Sequence, residues 1–143
     1  MRLNSAVGEH VNHKYPKIKM SAVRIELKHV KKPWGSFDRY TLNQRSTVKI
    51  LTLKPGAVTS LQSHKQRREF WVALDKGICV EVGGRKIRLR KGSVIVVRKG
   101  QKHRLSCKGR SEARILEISS GHFSESDIVR YEDKYGRVSK EIA

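Results

Sequence analysis

The sequence predicts an all-β fold, a sandwich or barrel. Three observations carry that prediction. Short runs rich in β-branched and aromatic residues recur at close, regular spacing. Turn signals bearing Gly or Pro separate them. No stretch among them has helical periodicity.

Residues 1–19 are polar and aperiodic, with His10, His13, Lys14, Lys17 and Lys19, and read as a flexible basic arm. Residues 20–143 read as a single domain. Val23, Ile25 and Leu27 alternate with Arg24, Glu26 and Lys28, the pattern of a strand with one face buried. Ser46–Lys54 is the next strand, closed by the turn Lys54-Pro55-Gly56. Phe70–Leu74 and Ile78–Val82 are apolar and β-rich, and Gly83-Gly84 supplies a two-residue hairpin before Arg85. In Arg85–Arg90 the charges alternate with Ile87 and Leu89, so Lys86, Arg88 and Arg90 are expected on a solvated strand face. Val94–Val97 is too short for a helix, Lys99-Gly100 turns the chain, and His103–Ser106 and Ala113–Ser119 follow. The sum is eight or nine strands. One short helical segment is expected late, with Ser124 as cap of a turn through Asp127–Arg130.

The chain has 143 residues, the size of one domain, and a net charge of +19. No apolar run reaches the length of a membrane helix, and no signal-peptide core follows the N-terminus, so a soluble cytoplasmic protein is expected. Cys79 and Cys107 form no CxxC pair and read as buried small apolar residues. From Lys65 to Arg110 there are 15 Lys/Arg against Glu69, Asp75 and Glu81, a net of +12 in 46 residues. Such a surface attracts nucleic acid or a phosphorylated small molecule. The alternating placement, with no aromatic-plus-basic motif, ranks nucleic acid last.

Four side chains form a chemical constellation. Gln62 and His64 lie two apart, so on an extended segment they share a face. Glu69 opens the next strand and His103 a later one. Two imidazoles, a carboxylate and an amide oxygen suit a first-row divalent metal with open positions.

Longer patterns hold these residues. Gly56, Gln62-x-His64, Glu69 and Gly77 resemble the first motif of the cupin superfamily, with Gln62 in place of the first His. Gly92, Arg98-x-Gly100 and His103 resemble the second, with Arg98 in place of Pro. The resemblance implies a double-stranded β-helix (jelly-roll) barrel, with the short helical or loop segment at the C-terminal end.

A narrower resemblance runs through Lys32-Pro33-Trp34-Gly35, Ser60-Leu61-Gln62-Ser63-His64, Arg67, Glu69, Trp71-Val72, His103-Arg104 and Leu116-Glu117-Ile118, ending in Asp127–Arg137. This series is similar to the type II mannose-6-phosphate isomerase domain, the cupin at the C-terminus of bifunctional isomerase/mannose-1-phosphate guanylyltransferases. It departs from the usual pattern at Gln66, Arg68 and Phe70, expected around the mouth of the site.

The resemblance implies a metal-dependent aldose–ketose isomerase acting on mannose 6-phosphate and fructose 6-phosphate. The implied metal ligands are Gln62, His64, Glu69 and His103, with Zn, Mn, Fe, Co or Ni as the ion. Arg67 and Arg104 are implied for the substrate phosphate, and Arg130, Tyr135 and Arg137 for catalysis. Two readings of the C-terminal block stand side by side: an active-site lid, and a structural clasp in which Asp133 pairs an Arg. The general base is left open among Glu69, Tyr135 and Lys54. A homodimer is the family expectation. The rival function is a non-catalytic module that binds a sugar phosphate or polyanion.

Overall fold

The computed structural model describes residues 28–138. The N-terminal arm and the Val23–Leu27 strand lie outside the described residues. The chain divides into two compact units, one up to Asn43 and one from Gln44 onward. In the first, β1 (Lys28–Lys32) and β2 (Gly35–Arg39) form an antiparallel hairpin. His29 Nδ1 lies 2.6 Å from the Asp38 carboxylate across it. Trp34, at its turn, is 73% exposed.

The second unit is the barrel. Its strands are β3 (Ser46–Leu53), β4 (Leu61–Ser63), β5 (Arg67–Ala73), β6 (Ile78–Val82), β7 (Arg85–Arg88), β8 (Val94–Val97), β9 (His103–Cys107), β10 (Ala113–Gly121) and β11 (Val129–Glu132). They form two antiparallel sheets, ordered β3-β10-β5-β8 and β11-β4-β9-β6-β7. Eleven strands stand among the described residues against the eight or nine expected.

Strand alternation sorts the interior. On β5 the residues Glu69, Trp71 and Ala73 are buried on one face, opposite Ser119, Glu117 and Ile115 of β10. On β9, His103, Leu105 and Cys107 face Val82, Val80 and Ile78 of β6. The interior is therefore graded. Where β5 and β9 begin it is polar, with Glu69, Glu117, Ser119 and His103. Where they end, Ala73, Ala113, Ile115, Ile78 and Cys107 form the apolar core. The core fixes the sheets, and the polar end gathers the ionisable side chains.

Three expectations are corrected. No helix forms at Ser124–Arg130. Asp127 N–H donates to Ser124 O and Ile128 N–H to Ser126 O, closing tight turns, and the β-branched Val129 then enters β11, which pairs with β4 through a bulge. Arg85–Arg88 shows no sided burial: all four residues are exposed, Ile87 included, because β7 is an edge strand. Cys107 is buried, but Cys79 is only half-buried, and both are free thiols.

Candidate metal centre

At the polar end, His64, Glu69 and His103 converge, with ligand-type atoms all within 4.8 Å of one another. All three are buried: His64 is 3% exposed, Glu69 1% and His103 0%. His64 directly follows β4, Glu69 lies on β5 and His103 opens β9.

Backbone carbonyls set the tautomers. His64 Nδ1 donates to Asp127 O at 2.6 Å, and His103 Nδ1 to Gln101 O at 2.8 Å. Each Nε2 therefore presents a lone pair. His64 Nε2 lies 3.3 Å from Glu69 Oε1, and His103 Nε2 lies 3.7 Å from Glu69 Oε2. Burial pushes both imidazoles down, His103 to about 4, so they are neutral at pH 7. Two lone pairs thus face a buried carboxylate, and His103 Nε2 has no hydrogen-bond partner. Acceptors gathered in this way call for a cation. The donor set fits a divalent metal by that test.

Part of the positive charge is already local. Arg67 is buried, and its Nε donates to Glu69 Oε1 at 3.1 Å and its Nη1 to Ser124 O at 3.0 Å. Its Nη2 lies 3.3 Å from His64 Nε2, and the guanidinium stacks over Phe123 at 4.3 Å.

Gln62 lies opposite His103 across β4 and β9, but its amide oxygen accepts the Ser60 hydroxyl at 3.0 Å. A cavity of about 640 Å³ opens above the cluster. Gln62, His64 and Glu69 line its floor, and Lys54, Arg130, Lys134, Tyr135 and Arg137 line its walls.

Residues 20–133 match the family model described as mannose-6-phosphate isomerase C-terminal. The chain belongs to this mannose-6-phosphate isomerase C-terminal family. The xanthan biosynthesis protein XanB of Xanthomonas campestris is 38% identical over 109 residues, 76% of this chain and 23% of that protein. The mannose-1-phosphate guanylyltransferase ManC of Salmonella typhimurium is 36% identical over 112 residues, 78% of this chain and 23% of that protein. The chain therefore spans about a quarter of the length of the curated relatives it matches. A cupin protein from Bacteroides fragilis superposes with a TM-score of 0.50 at 27% identity, covering 58% of this chain and 70% of that one. The fold is the cupin double-stranded β-helix. No helix among the described residues is long and apolar enough to cross a membrane.

Within this mannose-6-phosphate isomerase C-terminal domain, two implied phosphate ligands change position. Arg104 follows His103 on β9, so its side chain leaves the barrel on the opposite face. There it pairs with Glu132 at 2.6 Å and Glu81 at 3.7 Å, away from the metal-type cluster. Arg67 reaches the cluster, but all three guanidinium nitrogens are engaged with protein atoms. The departures Arg68 and Phe70 also bear less on the site than expected. They flank Glu69 on β5 and point to its opposite face, where Arg68 bonds Gln44.

The C-terminal block is both clasp and cavity wall. Asp133 pairs with Arg137 through Nε at 2.8 Å and Nη2 at 3.1 Å, and Tyr131 bonds Ser63 at 2.9 Å. Arg130, Tyr135 and Arg137 meanwhile line the cavity.

Two residues of the candidate site escaped the sequence reading. Glu117 is a second buried carboxyl on the cavity wall. The Trp71 indole N–H is shared between Glu69 Oε2 at 3.1 Å and Glu117 Oε2 at 3.3 Å. Burial first, and then the charge of Glu69, push the Glu117 carboxyl up to about 7. Its signal was parity, because it alternates with Ile115 and Ala113, both fully buried on β10. Asp127, the other, orients His64.

Proposed function

We propose that the domain is a metal-dependent sugar-phosphate aldose–ketose isomerase that interconverts mannose 6-phosphate and fructose 6-phosphate. The observation that carries this reading is the convergence of the two imidazole Nε2 atoms on Glu69, that of His103 without a hydrogen-bond partner, beneath a cavity with basic walls. Family membership supports the substrate class.

His64, Glu69 and His103 would hold the ion, with Gln62 as a fourth donor once its amide leaves Ser60. A divalent cation such as Zn, Mn, Fe, Co or Ni supplies Lewis acidity for charge developing on the sugar oxygens. The phosphate dianion binds the wall cations Lys54, Arg130, Lys134 and Arg137, the arginines by paired N–H donors. Asp133 holds Arg137 in position for that contact. Glu117 removes the proton from C2 of the aldose and returns it to C1, a role suited to a carboxyl poised near neutral pH and typically worth ~10²–10⁴-fold. Tyr135 orients a sugar hydroxyl from the same wall.

A coupled assay with mannose 6-phosphate, before and after chelation, tests the reading. Turnover lost on chelation and restored by a divalent ion is expected. No turnover with any added divalent metal rejects it.

One observation favours a second reading, a non-catalytic sugar-phosphate binding module. Arg67 already donates to Glu69 and contacts His64, supplying a cation without a metal. Protein purified without chelator that holds no metal yet binds mannose 6-phosphate decides for this alternative.

A further inference from the structure

The barrel end remote from the His64–Glu69–His103 cluster has its own concavity, of about 600 Å³. It lies among the links β5–β6, β7–β8 and β9–β10, where β5 and β9 end rather than begin. Five cationic side chains line it: Lys76, Arg88, Arg90, Lys91 and Arg110. All five are exposed, and no carboxylate lines the concavity. Among the described residues none of the five is in a salt bridge. Asp75, the acid beside Lys76, is held by Arg114 through Nε at 2.9 Å and Nη2 at 3.3 Å.

The carriers of these charges are tied down. Gly92 N–H donates to Ala73 O at 2.7 Å, Ser93 N–H to Arg90 O at 2.9 Å and Lys108 N–H to Gly77 O at 2.8 Å. Gly77 and Gly109 meet backbone to backbone on the lining, so neither adds a side chain to fill it. Like charges fixed side by side repel, and a bound anion relieves that repulsion. A neighbouring concavity of about 360 Å³ shares Arg88 and adds Lys86 and Lys108, its one carboxylate, Glu81, being paired with Arg104 at 3.7 Å. The basic surface therefore extends past the reach of one phosphate group and suits a chain of them. The lining of the first concavity holds no aromatic ring, so stacking on unpaired bases has no platform there, and contact is confined to phosphates.

We propose that this pole binds the phosphate backbone of a nucleic-acid duplex, independently of base sequence and of the metal-type cluster at the other end. Of the eight cations that line the two concavities, Arg104 is neutralised by Glu81 and Glu132, and the other seven meet a duplex that carries one negative charge per ~1.7 Å of axis.

The test is fluorescence anisotropy of the full chain with 20-bp DNA and RNA duplexes across a salt series, about two helical turns of target. The variant R88Q/R90Q/K91Q removes three charges from the pole. The control R45Q/K65Q/K99Q removes three exposed charges elsewhere. Binding ~10–100-fold weaker in the pole variant is expected, with the log–log salt slope reduced by about 3 and the control within ~3-fold. R88K/R90K keeps binding, and unchanged thermal melts show that all variants are folded. Equal losses in pole variant and control overturn the proposal, because diffuse charge then carries the binding. So does an unchanged slope, absence of wild-type binding at 150 mM salt, or equal displacement by a polyuronate of matched charge. Differing affinities for the two duplexes identify the preferred source.

Discussion

Asp127 aims the His64 ring. Its backbone carbonyl accepts His64 Nδ1–H at 2.6 Å, from 63 positions along the chain. Its carboxylate accepts the Lys65 and Gln66 N–H groups at 2.8 and 2.9 Å. Those two bonds hold the carboxyl below its usual range against the burial that would raise it. One residue thus fixes both the His64 tautomer and the backbone that follows it. Asp127→Ala keeps the carbonyl but frees that backbone. Metal affinity is expected to fall ~10–100-fold with the melting temperature little changed. Calorimetric titration with Mn²⁺ or Zn²⁺ reads this, and wild-type affinity in the variant refutes the orienting role.

Glu117 gives a pH signature of defined sign. An ordinary glutamate titrates near 4.5, and this one is raised to about 7. Between those values the folded chain keeps a proton that the unfolded chain has released. Its contribution to stability is full below pH 4.5 and disappears as pH rises through 7. In Glu117→Gln the side chain stays neutral and can still accept from Trp71. Urea unfolding of metal-free protein should show wild type losing on the order of 2 kcal/mol over that window relative to the variant. The same variant should lower kcat ~10²-fold or more. Parallel stability–pH curves would remove Glu117 as the raised group.

Opposite faces of the β11-β4-β9-β6-β7 sheet separate the candidate phosphate ligands. Arg104 points out of the barrel to Glu132, whereas Arg130 lines the cavity. Arg104→Ala should leave KM for mannose 6-phosphate within about twofold, since an exposed ion pair contributes only ~0–1 kcal/mol. Arg130→Ala should raise KM ~10-fold or more, the loss of a charge-assisted pair to phosphate. The reverse order in steady-state kinetics would mean that the substrate sits outside the barrel.

Local spacing made most of this legible. Alternation and turn residues located every strand of the barrel except the short β4 and β11, and the spacing of Gln62, His64, Glu69 and His103 anticipated a cluster of which three members converge. Illegible were the features set by pairing between distant segments. Val129 entered a strand because β4 offered an edge, against a capping pattern that pointed to a helix. Arg104 looked like a site residue because it adjoins His103, yet adjacency on a strand means opposite faces. Glu117 became a cavity residue only when β10 brought it across from Trp71. Ile87 matched a half-buried pattern, but no strand covers the outer edge of β7.

Gly121 closes the strand that backs the cluster, and its lack of a side chain is structural. It pairs with Arg67 at the end of β10 and has φ +117, a region disfavoured for other residues. A Cβ built there would lie 2.5 Å from the Gln66 carbonyl oxygen and 3.4 Å from Arg67 Cα. The first is a backbone atom, so relief requires moving the segment that carries His64 and Arg67. Gly121→Ala therefore combines backbone strain of ~1–3 kcal/mol with a steric displacement aimed at the cluster. The expected result is a melting temperature lowered by several degrees together with weakened metal binding. A variant that loses stability but binds metal like wild type would show that the strain is absorbed in β10 and that the cluster is insulated from it.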